Sequence, residues 1–501
     1  MGTLGGTVQV LGYHSDTLIV NSHCYSKKIK DSKFTKNNEP ADRDILGITI
    51  DPRDVEIRPY VSTSTLYWLD KKRLDNSPIN WRNGAVDRLK PGTEMSDPKV
   101  CLVMDKRIIS NLPVSNHDHS VNALMFDQKG DLLISVGGFT NMGLPGYKLG
   151  GYWETHLSAA VLIARTSLGD VFNGNLEYTT DLVRHAMLKK GDVEIFATGI
   201  RNGFAMTLTR NGNMYLADQG PNCAFGDTAT DCDADYDEQR AKNWDPSAEI
   251  NWQGLVKHGW NNCPYAVGRP DKVLHLSEGA YYGHPNVQRG LQIDESEHEC
   301  YWVDPYTGLP ADKKKKPSLF KYKKPLELFK SPVTGIAEYQ ASHFCSKLRG
   351  NLILSTYKDG KTYRLGVDGS KVTREGEKLS DHGGLTFVQN ARGDLVFPRL
   401  SKKNVFVLRP DVSMRAELFV TGVAPVRHGK NGGTMITVAG QNFGMDPSVM
   451  VGGNSCAIAM SSKTEIKCMV PAGSGLVDVE VVAVEGESGT LANAVLYMEV
   501  G

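Results

Sequence analysis

Residues 198–222 read TGIRNGFAMTLTRNGNMYLADQGPN. Two apolar runs, 204–208 and 214–217, flank an Asn211-Gly212 pair. That pair is hairpin turn chemistry, because tight turns need positive φ and Asn and Gly tolerate it. A hairpin does not need the polar residues gathered at its open end. These are Arg201-Asn202 before the first strand and Asp218-Gln219-Gly220-Pro221-Asn222 after the second.

The hairpin has relatives elsewhere in the chain. They are ALMFDQKGDLLISVGG from Ala123, FCSKLRGNLILSTYKDG from Phe344, LTFVQNARGDLVFPRL from Leu385 and, more loosely, DILGITIDPRDVEIRPYVSTSTLYWL from Asp44. The closer copies run from an apolar strand through a polar turn ending in Gly-Asp or Gly-Asn to a second apolar strand. Gly350 and Gly393 lie one propeller-blade length apart. Gly130 and Gly212 lie close to twice that, leaving room for a further blade through AAVLIARTSLGDVF from Ala159. Repeated β units without helical periodicity predict an all-β propeller of about six blades. Strand ends of successive blades then meet on one central face, where polar clusters from different repeats can combine.

Lys+Arg and Asp+Glu number 57 each, so no net field recruits nucleic acid or an anionic membrane. No apolar run is long enough to span a bilayer. The opening MGTLGGTVQVLGY lacks a signal-peptide pattern and already alternates like a strand, so the chain is expected to begin part-way through a natural domain. Nine cysteines form no CxxC and no zinc spacing. Cys223, Cys232, Cys263 and Cys300 fall in a long polar insertion, a placement that favours disulfides and an extracellular or secreted location over free cytosolic thiols. The pairing of Cys24, Cys101 and Cys345 stays open. The acidic run DTATDCDADYDEQ lacks the glycine and closing glutamate of an EF-hand and reads as a surface loop. The lysine-rich ADKKKKPSLFKYKK reads as a solvated loop.

Near Arg409-Pro410 the composition shifts, and from Val420 the stretches GGTMITVAGQNFG, VMVGGNSC and TEIKCMVPAG follow in order. They resemble the IPT/TIG family of immunoglobulin-like sandwiches. The resemblance implies a Cys456–Cys468 disulfide and a surface for an extracellular protein partner. It divides the chain into a propeller at 1–410, a linker at 411–417 and the sandwich at 418–501.

Residues 1–410 resemble the glucose/sorbosone dehydrogenase family of six-bladed propellers. The match lies in DILGITIDP, NHDHSVNALMFDQKGDLLISVGG, GIRNGFAMTLTRNGNMYLADQGPN, RGNLILSTYKDGKTYRL and DKVLHLSEGAYYGHPN, the last with His284 where a tryptophan is usual. The resemblance implies a quinoprotein that oxidises sugars or related alcohols with pyrroloquinoline quinone and Ca²⁺. His119 is then the general base, since an imidazole accepts through one nitrogen while the other orients it. Arg201 counters developing negative charge and, with Asn202 and Lys358, faces the cofactor. The carbonyls of Gly220 and Pro221 supply oxygen ligands to calcium.

Each residue also has a plainer reading: His117 and His119 as solvent-facing loop histidines, Arg201-Asn202 as a turn cap, Lys358 as part of an exposed hairpin turn. The family's last-blade arginines are expected to be missing, with KLSDHGGLTFVQNARGD in their place. Asp42 is expected to repel an anionic cofactor. Two functions therefore stand side by side: a quinone-dependent sugar dehydrogenase and a catalytically inactive extracellular recognition module.

Overall fold

The computed structural model describes residues 6–14, 19–36, 39–64, 81–115, 119–141, 149, 152–181, 183, 186–220, 270–284, 286, 321–343, 347–399, 404–409 and 417–498. Pro221, Cys223, Cys232, Cys263, Cys300, Cys345 and the acidic run all lie outside them. The architecture is an all-β propeller followed by an immunoglobulin-like sandwich.

Five blades are traced by the described residues. Blade I comprises Asp44–Ile50, Pro59–Ser64, Gly84–Pro91 and Val100–Leu112; blade II comprises Val121–Phe126, Leu132–Val136, Ala160–Ala164 and Val193–Thr198. Blade III is Gly203–Leu208, Met214–Asp218, Asp271–Leu276 and Glu327–Phe329; blade IV is Val333–Glu338, Leu352–Thr356, Thr362–Asp368 and Lys371–Ser380; blade V is Val388–Gln389, Leu395–Arg399 and Asn404–Leu408. In blades I to IV the first strands of successive blades pack on one another. The stretch AAVLIARTSLGDVF is the third strand of blade II followed by a 3₁₀ segment, not a separate blade. The added length between Gly130 and Gly212 is absorbed by that segment and a two-stranded excursion, Glu177–Tyr178 with Leu188–Lys190.

Within each blade the first strand enters and the second leaves at the same end, here called the upper end. The turns between them define the lower end. Gly130, Gly212, Gly350 and Gly393 sit in four of those turns with φ of 88°, 82°, 83° and 86°, the backbone that L side chains avoid. This is the turn pattern legible in the repeats. At Gly130 a Cβ would also collide with the Arg53 guanidinium, whose Nη2 donates to the Gly130 carbonyl at 3.1 Å.

The sandwich stacks a four-stranded sheet, containing Phe419–Ala424, Met435–Gln441, Glu465–Met469 and Ala457–Ser461, on a five-stranded one containing Leu476–Val482 and Ser488–Met498. Alternate residues such as Ile436 and Val438, or Val479 and Val481, point into a core that also contains Cys456 and Cys468. These two cysteines are joined, as are Cys24 and Cys101.

The sandwich closes the lower end by touching the turns or core of all five blades. Gly429 N donates to Pro52 O of blade I at 3.2 Å, and Arg210 of blade III donates to Asn493 O at 3.2 Å. Ser342 and Arg349, between the first two strands of blade IV, donate to Thr421 O at 2.7 Å and Ala492 O at 2.6 Å. Arg392 of blade V donates to Thr464 Oγ1 at 3.4 Å. Leu496 and Met498 enter one buried cluster with Met125, Leu133 and Ile163 of blade II and Leu208 and Leu216 of blade III. At this end the sandwich and blades II and III share one core.

Candidate functional site

The upper end gathers residues that precede first strands and follow second strands. His119-Ser120 lead into blade II, and Gly137-Gly138 leave it; Arg201-Asn202 lead into blade III, and Gln219-Gly220 leave it. The Gly138 peptide ties two of these segments together. Its N–H donates to Arg201 O at 2.6 Å, and its carbonyl accepts from the His119 ring at 2.7 Å. Close approach explains both glycines. A Cβ on Gly137 would lie 2.8 Å from both Asn202 Oδ1 and the His119 Cβ, and one on Gly138 would lie 2.9 Å from Glu154 Oε1.

A carbonyl can only accept, so His119 Nδ1 carries the proton and Nε2 keeps a lone pair. Burial pushes the His119 pKa well below its usual value and the charge of Arg201 adds to the effect, so the ring is neutral at physiological pH. His119, Arg201 and Asn202 are 2%, 1% and 5% exposed, which excludes the solvent-facing reading of His119. Arg201 holds the Asn141 carbonyl and side-chain oxygen through Nε at 3.1 Å each and through Nη2 at 2.7 Å. Asn202 does more than cap a turn. Its side chain donates to Gln219 Oε1 at 2.8 Å and accepts from Asn122 at 2.6 Å, while its N–H donates to Asp218 at 2.8 Å.

Behind Gly138 lies a buried carboxylate, Glu154, that sequence reasoning missed. It accepts from Phe139 N and Thr140 N at 2.9 Å, Thr140 Oγ1 and Ser158 Oγ at 2.6 Å, and His284 Nε2 at 2.8 Å. Burial alone raises a carboxyl pKa, but His284 and the two hydroxyls outweigh it and bring Glu154 down to about 2. His284, noted in the sequence only as a departure, is thus a buried hydrogen-bond partner of this carboxylate.

Gly220 N donates to Asp271 at 2.9 Å, and the other Asp271 oxygen accepts from Val333 N at 2.8 Å. Burial, with the nearby charge of fully buried Asp218, pushes Asp271 up to about 7. Two buried carboxylates therefore flank the Gly220 corner. Among the described residues no cluster of three or more His, Cys, Asp or Glu has metal-binding geometry.

Lys358 is exposed in the turn that follows the second strand of blade IV, at the upper end, and no hydrogen bond or ion pair joins it to His119, Arg201 or Asn202. Its neighbour Asp359 takes the hydroxyls of Ser331 and Thr356 and pairs with Lys361 at 3.1 Å. Outside the stretch KLSDHGGLTFVQNARGD, Arg399 ends the second strand of blade V. Its guanidinium lies 5.4 Å from the Phe406 ring centroid, and its Nη2 would lie 3.8 Å from a Cβ on Gly360, beside the Lys358 turn. The stretch taken as equivalent in the sequence supplies His382, which packs on the same ring. The charge of Asp42 is met by Lys28 at 2.7 Å.

A family model described as the IPT/TIG domain matches residues 418–497. No curated protein matches the chain. Among solved structures it is similar to the apo-form of the soluble aldose sugar dehydrogenase of Escherichia coli, at 15% identity and a TM-score of 0.43 over 78% of this chain and 87% of that one. A structure described as glucose dehydrogenase is similar at 13% identity and a TM-score of 0.43, covering 82% and 98%. The PQQ-bound aldose sugar dehydrogenase of Streptomyces coelicolor is similar at 11% identity and a TM-score of 0.38, covering 92% and 88%. No helix among the described residues is long and apolar enough to cross a membrane.

Proposed function

We propose that this chain is a sugar- or alcohol-dehydrogenase-like quinoprotein whose general base is His119. The observation that carries the reading is the bond from His119 Nδ1 to the Gly138 carbonyl, which leaves a neutral imidazole with an accepting Nε2 beside a buried guanidinium. In this reading Nε2 takes the proton of a substrate hydroxyl, and Arg201 offsets the negative charge that develops on the oxygen. Asn141 fixes the Arg201 plane, and Glu154 fixes the loop that presents Gly138 to His119. The chemistry supplied by pyrroloquinoline quinone with Ca²⁺ is hydride acceptance from the carbon bearing that hydroxyl.

The residues present fit both groups. The Gly220 carbonyl, with Pro221 next in the chain, would offer oxygen donors to a hard cation, and the buried oxygens of Asp271 and of Asp218, the latter met by Lys272 at 3.4 Å, lie beside that corner. Lys358 and Arg399, on the same end of the propeller, suit the quinone's carboxylates, with Arg201 and Asn202 deeper in.

A second reading is favoured by the burial of His119 and Arg201: the polar ring is structural, and the protein is an extracellular recognition module whose sandwich takes a protein partner. The Cys24–Cys101 and Cys456–Cys468 bonds support an extracellular location in either reading. The proposed domain division stays at 1–410, 411–417 and 418–501.

Calorimetric titration of pyrroloquinoline quinone with Ca²⁺, followed by turnover of an aldose with an artificial acceptor, separates the two. The enzyme reading expects saturable binding, with turnover lost in His119→Ala while binding persists. Absence of quinone binding at high concentration rejects it and leaves the recognition module.

A further inference from the structure

The seam between the sandwich and blades III and IV encloses a cleft of about 400 Å³ on the opposite end of the molecule from His119. Its lining includes Arg210, Glu338, Arg349, Asn351, Thr373 and Asn493. Two guanidinium groups meet here with one carboxylate. Glu338 is committed to Arg210, accepting from its backbone N at 2.8 Å and its Nε at 3.0 Å. Arg210 Nη1 donates to Asn493 O at 3.2 Å, and its Nη2 meets no acceptor among the described residues.

Arg349 has no carboxylate within ion-pair distance among the described residues. Its Nε donates to Gln340 O at 3.0 Å, and its Nη2 donates to Ala492 O at 2.6 Å and Asn493 O at 3.3 Å. All of these acceptors are backbone carbonyls, so the side chain of Arg349 is held in place without an ion pair. Burial and the like charge of Arg210 push the Arg349 pKa down to about 10, although Glu338 and Asp478 act against that. Asp478 itself spends one oxygen on Asn493 N at 2.6 Å. The Nη1 of Arg349 and the Nη2 of Arg210 are the donors left over, and side-chain amide and hydroxyl groups share the cleft with them.

We propose that this cleft binds a tetrahedral oxyanion, a phosphate or sulfate group either free or carried on a sugar, held between Arg349 and Arg210 at the junction of the propeller and the sandwich. The donor set suits such a group because guanidinium forks match oxyanion edges, and a preorganised fork loses little freedom on binding. The anion adds an ion-pair partner for Arg349, whose own hydrogen-bond acceptors are all backbone carbonyls, so its binding also tightens the union of the two domains.

The test uses the full chain. Inorganic sulfate and phosphate are titrated at constant ionic strength against chloride, with a sulfated disaccharide as a second arm. Calorimetry reads affinity, and thermal melting reads linkage. The expected result is a saturable heat and a rising melting midpoint in at least one arm, with affinity weakened about tenfold or more in Arg349→Met. Thr373→Glu, at an exposed position on the cleft wall, places a carboxylate against the arginines and should abolish the same response even if Arg349→Met fails to fold. A response confined to the disaccharide identifies a carried group; one equal for inorganic anions identifies a free one. Sulfate also stabilises proteins by exclusion from their surface. A midpoint that rises without saturation, or a saturable response unchanged in Thr373→Glu, overturns the proposal.

Discussion

At the upper end of the propeller, His119, Arg201, Asn202, Glu154 and His284 are buried in a network of charge-assisted and amide hydrogen bonds. At the lower end, Leu496 and Met498 enter an apolar cluster, and arginines from the blades reach the backbone carbonyls of the sandwich. The same strands serve both ends, so the difference lies in what each end contributes. Burial of apolar surface at the lower end supplies net stability, at about 25 cal/mol per Å². The upper network repays desolvation only where every partner is present, so it contributes placement of groups more than free energy. Substitutions at the lower end should therefore be felt in folding, and those at the upper end should be felt first in chemistry.

The largest expected effect is Met498→Asp. Met498 is 1% exposed within the cluster shared with blades II and III. A carboxylate there has no partner, and the cost should be about 4 kcal/mol or more. Because the cluster spans both domains, calorimetry should show the wild-type propeller and sandwich melting together and this variant losing midpoint in both. A sandwich that melts separately, unaffected by what happens in the blades, would break the comparison at its lower half.

Next comes Glu154→Gln at the upper end. Burial alone would raise the wild-type carboxyl, but His284 and the hydroxyls of Ser158 and Thr140 bring it down to about 2 from an ordinary value near 4.5, so it favours the folded state at neutral pH by about 3 kcal/mol. The sign follows from the depressed folded value: this contribution is complete above pH 4.5 and is lost as pH falls through about 2. Glutamine keeps the shape but not the charge opposite His284. Acid unfolding followed by circular dichroism should lose part of its dependence below pH 4.5, with the native baseline at pH 7 lowered by a comparable amount.

A smaller effect belongs to His428 of the sandwich, whose Nε2 donates to Pro425 O at 2.9 Å. Burial pushes its pKa down to about 4. A histidine kept neutral in the fold contributes stability that is complete above its unfolded value near 6.5 and is lost as pH falls from there toward 4. His428→Gln should flatten the stability profile between those limits. His119 acts in the same direction at the other end, so the double variant with His119→Gln should flatten it further.

How far these features were legible depends on how local their causes are. The turns at Gly130, Gly212, Gly350 and Gly393 were readable because positive φ is demanded by a few adjacent residues. The Asn202-bearing hairpin was readable for the same reason. The stretch from Ala159 was misread because the third strand of blade II, Ala160–Ala164, is buried along its whole length and is as apolar as an inner strand. Glu154 and Asn141 gave no signal, since their partners His284 and Arg201 are brought to them only by the blade topology. The doubled glycine in LLISVGG was the available clue, as two small residues at a strand end mark a close approach. The closure of the lower end was hidden because Leu496 and Met498 occupy positions that read equally well as sandwich core.

The smallest effect on folding, and the sharpest contrast, is expected at Lys358 and Arg399. Lys358 is exposed and makes no ion pair among the described residues, and Arg399 rests on Phe406 with no hydrogen bond to the network around His119. Lys358→Ala should leave stability within about 0.5 kcal/mol of wild type, and Arg399→Ala should cost little more than its contact with the ring. If both cations serve a carboxylate-bearing cofactor, each substitution should weaken quinone binding about tenfold, and the pair together should weaken it by more than either alone. Calorimetric titration beside a thermal melt reads both quantities on one sample. Unchanged binding in the double variant would remove Lys358 and Arg399 from the proposed site and would leave only the buried part of the upper end to contact the quinone.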